Sequence, residues 1–207
     1  MPDIELHIDG AASLECRTLT GQERLGEAGT FDVELFAPEP LDTAGVLGKP
    51  CAITLRGGGG GRVVHGFVVR WSAIATAQAA SGRRYRARVR GLTALLGLRK
   101  RTKVFQRTTV PDIIAEVLRD AGFPADALQR SLAGAPPTRT YVVQYAETDE
   151  RFVRRLCEEE GLYFRFEPKE KYAALELCDT SSNARPALEE PLPIVDDSGL
   201  EARPLCA

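Results

Sequence analysis

The sequence predicts a mainly β protein whose second half adds an α+β subdomain. In residues 1–100, nearly every patterned segment is a short run of alternating apolar and polar residues, which is typical of strands with one buried face. In residues 101–207 the order becomes helix, strand, helix, strand, strand. The first part therefore predicts a β-barrel or sandwich, and the second predicts a smaller subdomain with two helices packed on short strands.

Six strands account for most of the first part. Pro38 and Pro40 end the third strand, because proline cannot donate to a sheet ladder. The five glycines of residues 57–61 fit a hairpin loop, whereas a phosphate-binding loop would continue through a lysine into a helix. The six predicted strands are residues 4–8, 14–20, 30–36, 51–56, 62–71 and 84–90.

The second part begins with a clearly punctuated helix in residues 109–122. Thr109 can cap its first turn, and Gly122 can end it. Residues 125–139 have a polar, proline-containing composition that predicts a connector. Strands are predicted at residues 141–145 and 172–178, and residues 200–207 could begin another.

A helix that runs directly into a strand organises this second part. Thr148 or Asp149 can cap the helix, and Gly161 can end it in the left-handed conformation. An apolar stripe on the helix and an alternating strand after the glycine predict the packing centre of the subdomain. The stripe is Phe152, Val153, Leu156 and Cys157, and the buried strand positions are Leu162, Phe164 and Phe166.

The composition is that of a soluble globular protein. Of 207 residues, 43% are hydrophobic and 27% charged, and the formal net charge is −2. This balance predicts neither a nucleic-acid partner nor a membrane span. The N-terminus carries Asp3, Glu5 and Asp9 and no signal-peptide pattern, so we expect synthesis in the cytoplasm and export by another route, if any.

Cysteine and histidine usage argues against catalysis or metal binding. The five cysteines are widely spaced and form no C-x-x-C pair, which predicts reduced structural thiols. His7 and His65 are the only imidazoles, and no G-x-S-x-G elbow is present. We predict that the protein is not an enzyme and has no catalytic residue, cofactor or metal.

Two charged clusters form a candidate protein interface. Four arginines occupy one face of the sixth strand, and no acidic residue occurs in residues 83–107. Nucleic-acid binding is disfavoured because no aromatic residues are interleaved on that face. The face is either solvated or meets an acidic surface, such as the glutamate run of the second helix, in the same chain or a neighbouring copy. The candidate residues are Arg84, Arg86, Arg88 and Arg90, with Glu158, Glu159 and Glu160.

Seven segments in order resemble the N-terminal hub region of VgrG-type spike proteins of the type VI secretion system, which are similar to phage tail hubs. They cover nearly the whole chain, and their order makes the resemblance specific. The segments are LTGQERLGE (19–27), FDVEL (31–35), LGKP (47–50), RVVHGFV (62–68), VFQRTTVPDII (104–114), YVVQYAETDERFV (141–153) and LCEEEGLYF (156–164).

The resemblance implies the fold and function. It implies a first hub β-barrel in residues 1–100, then the α+β subdomain and the start of a connection to a second barrel. It further implies a homotrimer that docks on a hexameric Hcp-like tube, with a PAAR-type tip and effectors held by parts beyond this chain. The role would be structural, with export through the type VI machine. The alternative is a stand-alone carbohydrate- or protein-binding β module.

Overall fold

Six antiparallel strands close into a barrel in the order β1-β2-β3-β6-β5-β4. The computed structural model describes residues 4–10, 14–56, 61–74, 82–169 and 172–183. The predicted barrel is thus confirmed, and the sandwich alternative is not what forms. The strands are β1 Ile4–Ile8, β2 Leu14–Gln22, β3 Thr30–Ala37, β4 Pro50–Leu55, β5 Arg62–Ile74 and β6 Arg83–Arg90.

Alternation along each strand fills the barrel interior. On β3, Phe31, Val33 and Leu35 are buried, and the residues between them face outward. Trp71 stacks on Tyr85 inside the barrel, with ring centroids 4.8 Å apart. The Tyr85 hydroxyl accepts a hydrogen bond from the Leu41 backbone N–H at 2.9 Å, so the loop after β3 is tied to the interior. A single turn of helix, α1 (Thr43–Val46), leads from this loop towards β4.

The second unit contains five strands and three further helices. In the part of the chain that the structure describes, β7 pairs with β9 alone, and β10, β11 and β8 form a three-stranded sheet in that order. Two 3₁₀ turns, Ala125–Ala127 and Ser181–Asn183, complete it. The elements are α2 Thr93–Leu96, β7 Lys100–Thr109, α3 Val110–Asp120, β8 Leu128–Ser131, β9 Thr138–Thr148, α4 Asp149–Glu160, β10 Tyr163–Pro168 and β11 Ala173–Cys178.

Both long helices have the predicted ends. Thr109 accepts a hydrogen bond from the Asp112 N–H at the start of α3, and Thr148 accepts one from the Arg151 N–H at the start of α4. At the end of α4, Gly161 adopts φ +67°, and the next N–H donates back to the carbonyl of Cys157. The four residues of the predicted stripe on α4 are buried, as is Phe164 on β10.

Gly161→Ala should lower stability by about 1–2 kcal/mol, the cost of the left-handed conformation for a residue with a Cβ. Nothing lies within 4 Å of a Cβ built on Gly161, so the loss would report backbone strain alone. Gly134→Ala is the matched control, because that site is equally open and has no positive φ. Urea unfolding of both variants measures the difference, and equal losses would contradict the explanation.

The structure corrects the predicted order of elements in the second unit. The sequence does not predict strand β7. At its inward positions, where a strand usually has apolar residues, β7 has basic ones. Arg101 and Lys103 point towards acidic residues of the helices, and only Phe105 is buried on this strand. The predicted connector, 125–139, includes β8, whose four residues pair in parallel with β11. A strand this short carries little periodicity.

Two hydrophobic cores divide the described chain. The barrel core ends with Val89 on β6, and the second core begins with Leu92. The two units touch where Phe67 of β5 meets Phe123 edge-on, with ring centroids 6.1 Å apart. The domain boundary at residue 100 stays a prediction, and the cores separate slightly earlier.

Some sequence predictions fall outside the described residues. These are most of the glycine loop, the strand start at 200–207 and Cys206. Pairing of Leu55 with Arg62 across that loop is consistent with the predicted hairpin. The other four cysteines are buried free thiols, and burial raises the pKa of Cys51 and Cys157 to about 12. No helix in the described ranges is long and apolar enough to cross a membrane.

Candidate protein interface

The four arginines of β6 lie on the outer wall of the barrel, as the alternation predicts. Their strand sits between β3 and β5, and the intervening residues, Tyr85, Ala87 and Val89, fill the interior. Across β3, Glu34 lies opposite Arg86, and Asp32 lies opposite Arg88. Directly opposite positions on neighbouring strands bring side chains into contact, so Arg86 and Arg88 can each meet a carboxylate.

Three of these arginines share two carboxylates. Arg88 donates two hydrogen bonds to Asp32, from Nε to Oδ1 at 2.8 Å and from Nη2 to Oδ2 at 2.9 Å. Glu34 accepts from Arg84 at 3.1 Å and also pairs with Arg86. The sequence predicted the basic face but not these carboxylates, although the alternation of β3 places both on the same side.

These pairs hold the carboxylates in their charged form. The hydrogen bond from Arg88 lowers the pKa of Asp32, and the bond from Arg86 lowers the pKa of Glu34. Both side chains remain partly exposed, so water and salt weaken the pairs. The arginine row (Arg84, Arg86, Arg88 and Arg90) is therefore held in place by carboxylates and is still accessible to a partner.

The Asp32–Arg88 pair should stabilise the fold only at pH values where Asp32 is charged. A depressed folded-state pKa gives stability that is present above the unfolded pKa, near about 4, and is lost as pH falls through the folded value. Because the pair is exposed, we expect less than about 1 kcal/mol. Urea unfolding at neutral and acidic pH should show a larger acid loss for the wild type than for Asp32→Asn. Identical losses would mean that the pair contributes nothing.

The acidic run on α4 is divided among separate local partners. Glu159 pairs with Arg155 at 2.7 Å one turn earlier, and Glu160 pairs with Arg139 of β9. Glu158 lies 3.7 Å from Arg154, and 71% of its side chain is exposed. The three glutamates thus point in different directions, as expected for adjacent residues on a helix.

The two halves of the candidate interface do not pair with each other in the described chain. Arg90 is the arginine of the row that reaches α4, where it lies 3.6 Å from Glu150. A groove of about 550 Å³ separates the arginine row from the glutamate run, with Arg90 and Glu158 in its lining. The role of these two clusters as an interface stays a prediction. If the arginines do pair with the three glutamates, the pairs must form between neighbouring molecules.

Two further basic residues, Arg101 and Lys103 of β7, are used inside the chain. Arg101 Nε lies 2.9 Å from Oδ1 of Asp149, whose side chain is fully buried. Arg101 and Lys103 both bind Asp120 at the end of α3, at 2.9 and 2.7 Å. Gln144 also donates to Asp149 at 2.8 Å. These contacts join β7 to both long helices, so these two residues are structural.

The histidines lie on one outer face of the barrel. His7 and His65 are each opposite Ala52, on the two sides of β4. Burial lowers the pKa of His65, which favours the neutral ring. Among the described residues, no group of three or more His, Cys, Asp or Glu side chains could hold a metal ion.

The chain belongs to the phage tail baseplate hub (GPD) family, which matches residues 22–205. Relatives include the type VI secretion system spike proteins VgrG5 and VgrG1c of Pseudomonas aeruginosa. VgrG5 is 37% identical over 88% of this chain and 23% of its own length. VgrG1c is 39% identical over 84% of this chain and 24% of its own.

A solved structure supports the same assignment. The E. coli c3393 protein is a type VI secretion component with structural similarity to the T4 bacteriophage tail proteins gp27 and gp5. It matches with a TM-score of 0.80 and 27% identity, over 87% of this chain and 50% of its own. A Shewanella oneidensis prophage tail protein shares the fold at a TM-score of 0.58 and 18% identity, over 84% of this chain and 52% of its own. The chain spans about a quarter of the length of the spike relatives.

Proposed function

We propose that this chain is the hub region of a type VI secretion spike. The observation that carries the proposal is the hub family match over residues 22–205. The similarity to the E. coli type VI component over 87% of the chain supports it. In this role the protein forms a homotrimer that docks on a hexameric Hcp-like tube and helps to deliver effectors.

The proposed role is mechanical. Each copy would present its barrel as one block of a ring, with a second barrel supplied elsewhere in the full-length protein. Three copies would then offer six similar blocks to a sixfold tube. A PAAR-type tip and effectors would be held by other parts of the full-length protein, and sheath contraction would carry the assembly out of the cell. Catalysis by this chain is not required.

Co-purification with the tube protein tests the proposal. The full-length protein should bind the hexameric tube protein and assemble into spikes that electron microscopy detects. Full-length protein that forms no spike and captures no tube protein would overturn the proposal. The protein would then be better described as a stand-alone binding module.

Charge reversal at Arg86 and Arg88 should weaken assembly more than it weakens the folded monomer. Both side chains are partly exposed, so loss of their carboxylate pairs has a small effect on stability. Light scattering of the full-length protein measures assembly, and urea unfolding measures stability. Arg119→Glu, on the exposed side of α3, is the control. Equal losses of assembly and stability would indicate a purely intramolecular role for the arginine row.

A further inference from the structure

The outer wall of the barrel contains a fifth arginine that the alternation of β6 could not reveal. Arg70 lies on β5, directly opposite Arg88, where the register of the two strands shifts by one residue. It is exposed, and in the described part of the chain no carboxylate lies within 4 Å of its guanidinium, although its charge helps Arg88 to lower the pKa of Asp32. Arg88 is already bound to Asp32 on its other side. Arg70 therefore extends the arginine row onto a second strand with no carboxylate of its own.

The charges on this wall do not balance. Arg70, Arg84, Arg86 and Arg88 face outward from β5 and β6, against Asp32 and Glu34 on β3, whereas Arg90 has Glu150 of α4 beside it. Four positive charges thus share two negative ones. The other outward neighbours of this row are uncharged, with Ser72 opposite Arg86 on β5, and Thr18 and Thr20 opposite the two acids on β2. The surplus positive charge is concentrated on the β5–β6 side.

We propose that the β5–β6 wall binds an extended acidic segment of a partner protein, with Arg70 receiving one of its carboxylates. Charge complementarity indicates the partner, because exposed positive charge without a matching carboxylate attracts the carboxylates of another molecule. Outward residues on one strand recur about every 6.6 Å, which is also the repeat of alternate residues in an extended segment. Asp or Glu at alternate positions would therefore match the spacing of Arg84, Arg86 and Arg88.

Nucleic acid fits this wall less well than an acidic protein segment. Of the Phe, Tyr and Trp rings on these two strands, Trp71 and Tyr85 stack inside the barrel, and Phe67 packs against Phe123 of the second unit, so none of them is placed to stack on bases. The inference rests on the proposed function and adds the chemistry of one hub partner. Binding of an acidic segment can nevertheless be measured on this chain alone.

A peptide-binding experiment tests the wall directly. The probe is a fluorescein-labelled octapeptide with glutamate at alternate positions and threonine between them, measured by anisotropy at low salt. Arg70→Gln should weaken binding by about three- to fivefold, the fold-change for the upper range of one exposed charge pair. Arg62→Gln, on the same strand but paired with Glu23 at 2.6 Å, should bind like the wild type. Binding should fall as salt is added.

Three outcomes would overturn the inference. They are wild-type affinity in Arg70→Gln, equal weakening in Arg62→Gln, or equally tight binding of a single-stranded DNA oligomer of the same charge. A peptide with its four glutamates adjacent should bind more weakly, and equal affinity would contradict the alternate spacing. Tube capture by the full-length protein is a separate measurement, so failure of the proposed function and failure of this site are distinguishable.

Discussion

Asp149→Ala should lower the free energy of unfolding by about 3–5 kcal/mol, the usual cost of removing one partner from a buried ion pair. The Asp149 side chain has no exposed surface and accepts hydrogen bonds from Arg101 and Gln144 at 2.9 and 2.8 Å. Arg99 lies 3.7 Å from its second oxygen. Without the carboxylate, two guanidinium groups and an amide would face an uncharged site at the start of α4.

Urea unfolding followed by far-UV circular dichroism measures this loss. Glu159→Gln is the control, because it removes one exposed carboxylate from the same helix and should cost less than about 1 kcal/mol. Asp149→Asn should fall between the two, since its amide keeps the shape and one acceptor. A loss below about 1 kcal/mol for Asp149→Ala would show that Arg101 relies on Asp120 instead.

Phe152→Ala should destabilise the second unit by about 3–5 kcal/mol, the typical cost of truncating a buried phenylalanine. Phe152 is fully buried and stacks on Phe105 of β7 at 5.5 Å, so it joins α4 to the β7–β9 sheet. The guanidinium of Arg155 lies 5.4 Å from the centre of its ring. The loss would combine a cavity with the disruption of two specific contacts.

Two probes show where this loss occurs. The single tryptophan, Trp71, reports the barrel interior, whereas circular dichroism reports the whole chain. We expect the dichroism transition of Phe152→Ala to move to lower urea more than the fluorescence transition does. Tyr145→Ala, on the same unit but 76% exposed, should change stability by less than about 0.5 kcal/mol. Coincident transitions would mean that the two cores unfold together.

The barrel could be predicted from sequence because each of its strands buries one side. Phe31, Val33 and Leu35 alternate with polar residues, and the same rule holds for β1, β4 and β6. Closure itself is a long-range property. It depends on pairing of β1 with β4 and of β3 with β6, which no local pattern specifies.

The second unit was harder to predict because charges replace apolar residues at inward positions. β7 carries Arg101 and Lys103 towards α3 and α4, so its pattern is typical of an exposed segment until the acidic partners are known. The capped helices were recognisable because Thr109, Thr148 and Gly161 act locally.

The position of the arginine row follows from sequence, but its surroundings do not. Alternation places Arg84, Arg86, Arg88 and Arg90 on one face, but their partners on β3 follow only from strand order. Arg70 does not follow from the alternation, because a register shift on β5 brings it opposite Arg88. The clue that could have found it is the polar residue at position 70, between the buried Val68 and Trp71.

The isolated pairing of β7 with β9 bears on how this protein could polymerise or exchange segments. A closed barrel offers no free sheet edge, whereas within the described ranges each strand of this two-stranded sheet has one side whose backbone N–H and C=O groups lack a strand partner. A strand from another molecule, added by domain swapping or by fibril growth, would therefore pair with the second unit and not with the barrel. Pro136 and Pro137, immediately before β9, cannot donate to an added strand and so shorten the edge open to such growth.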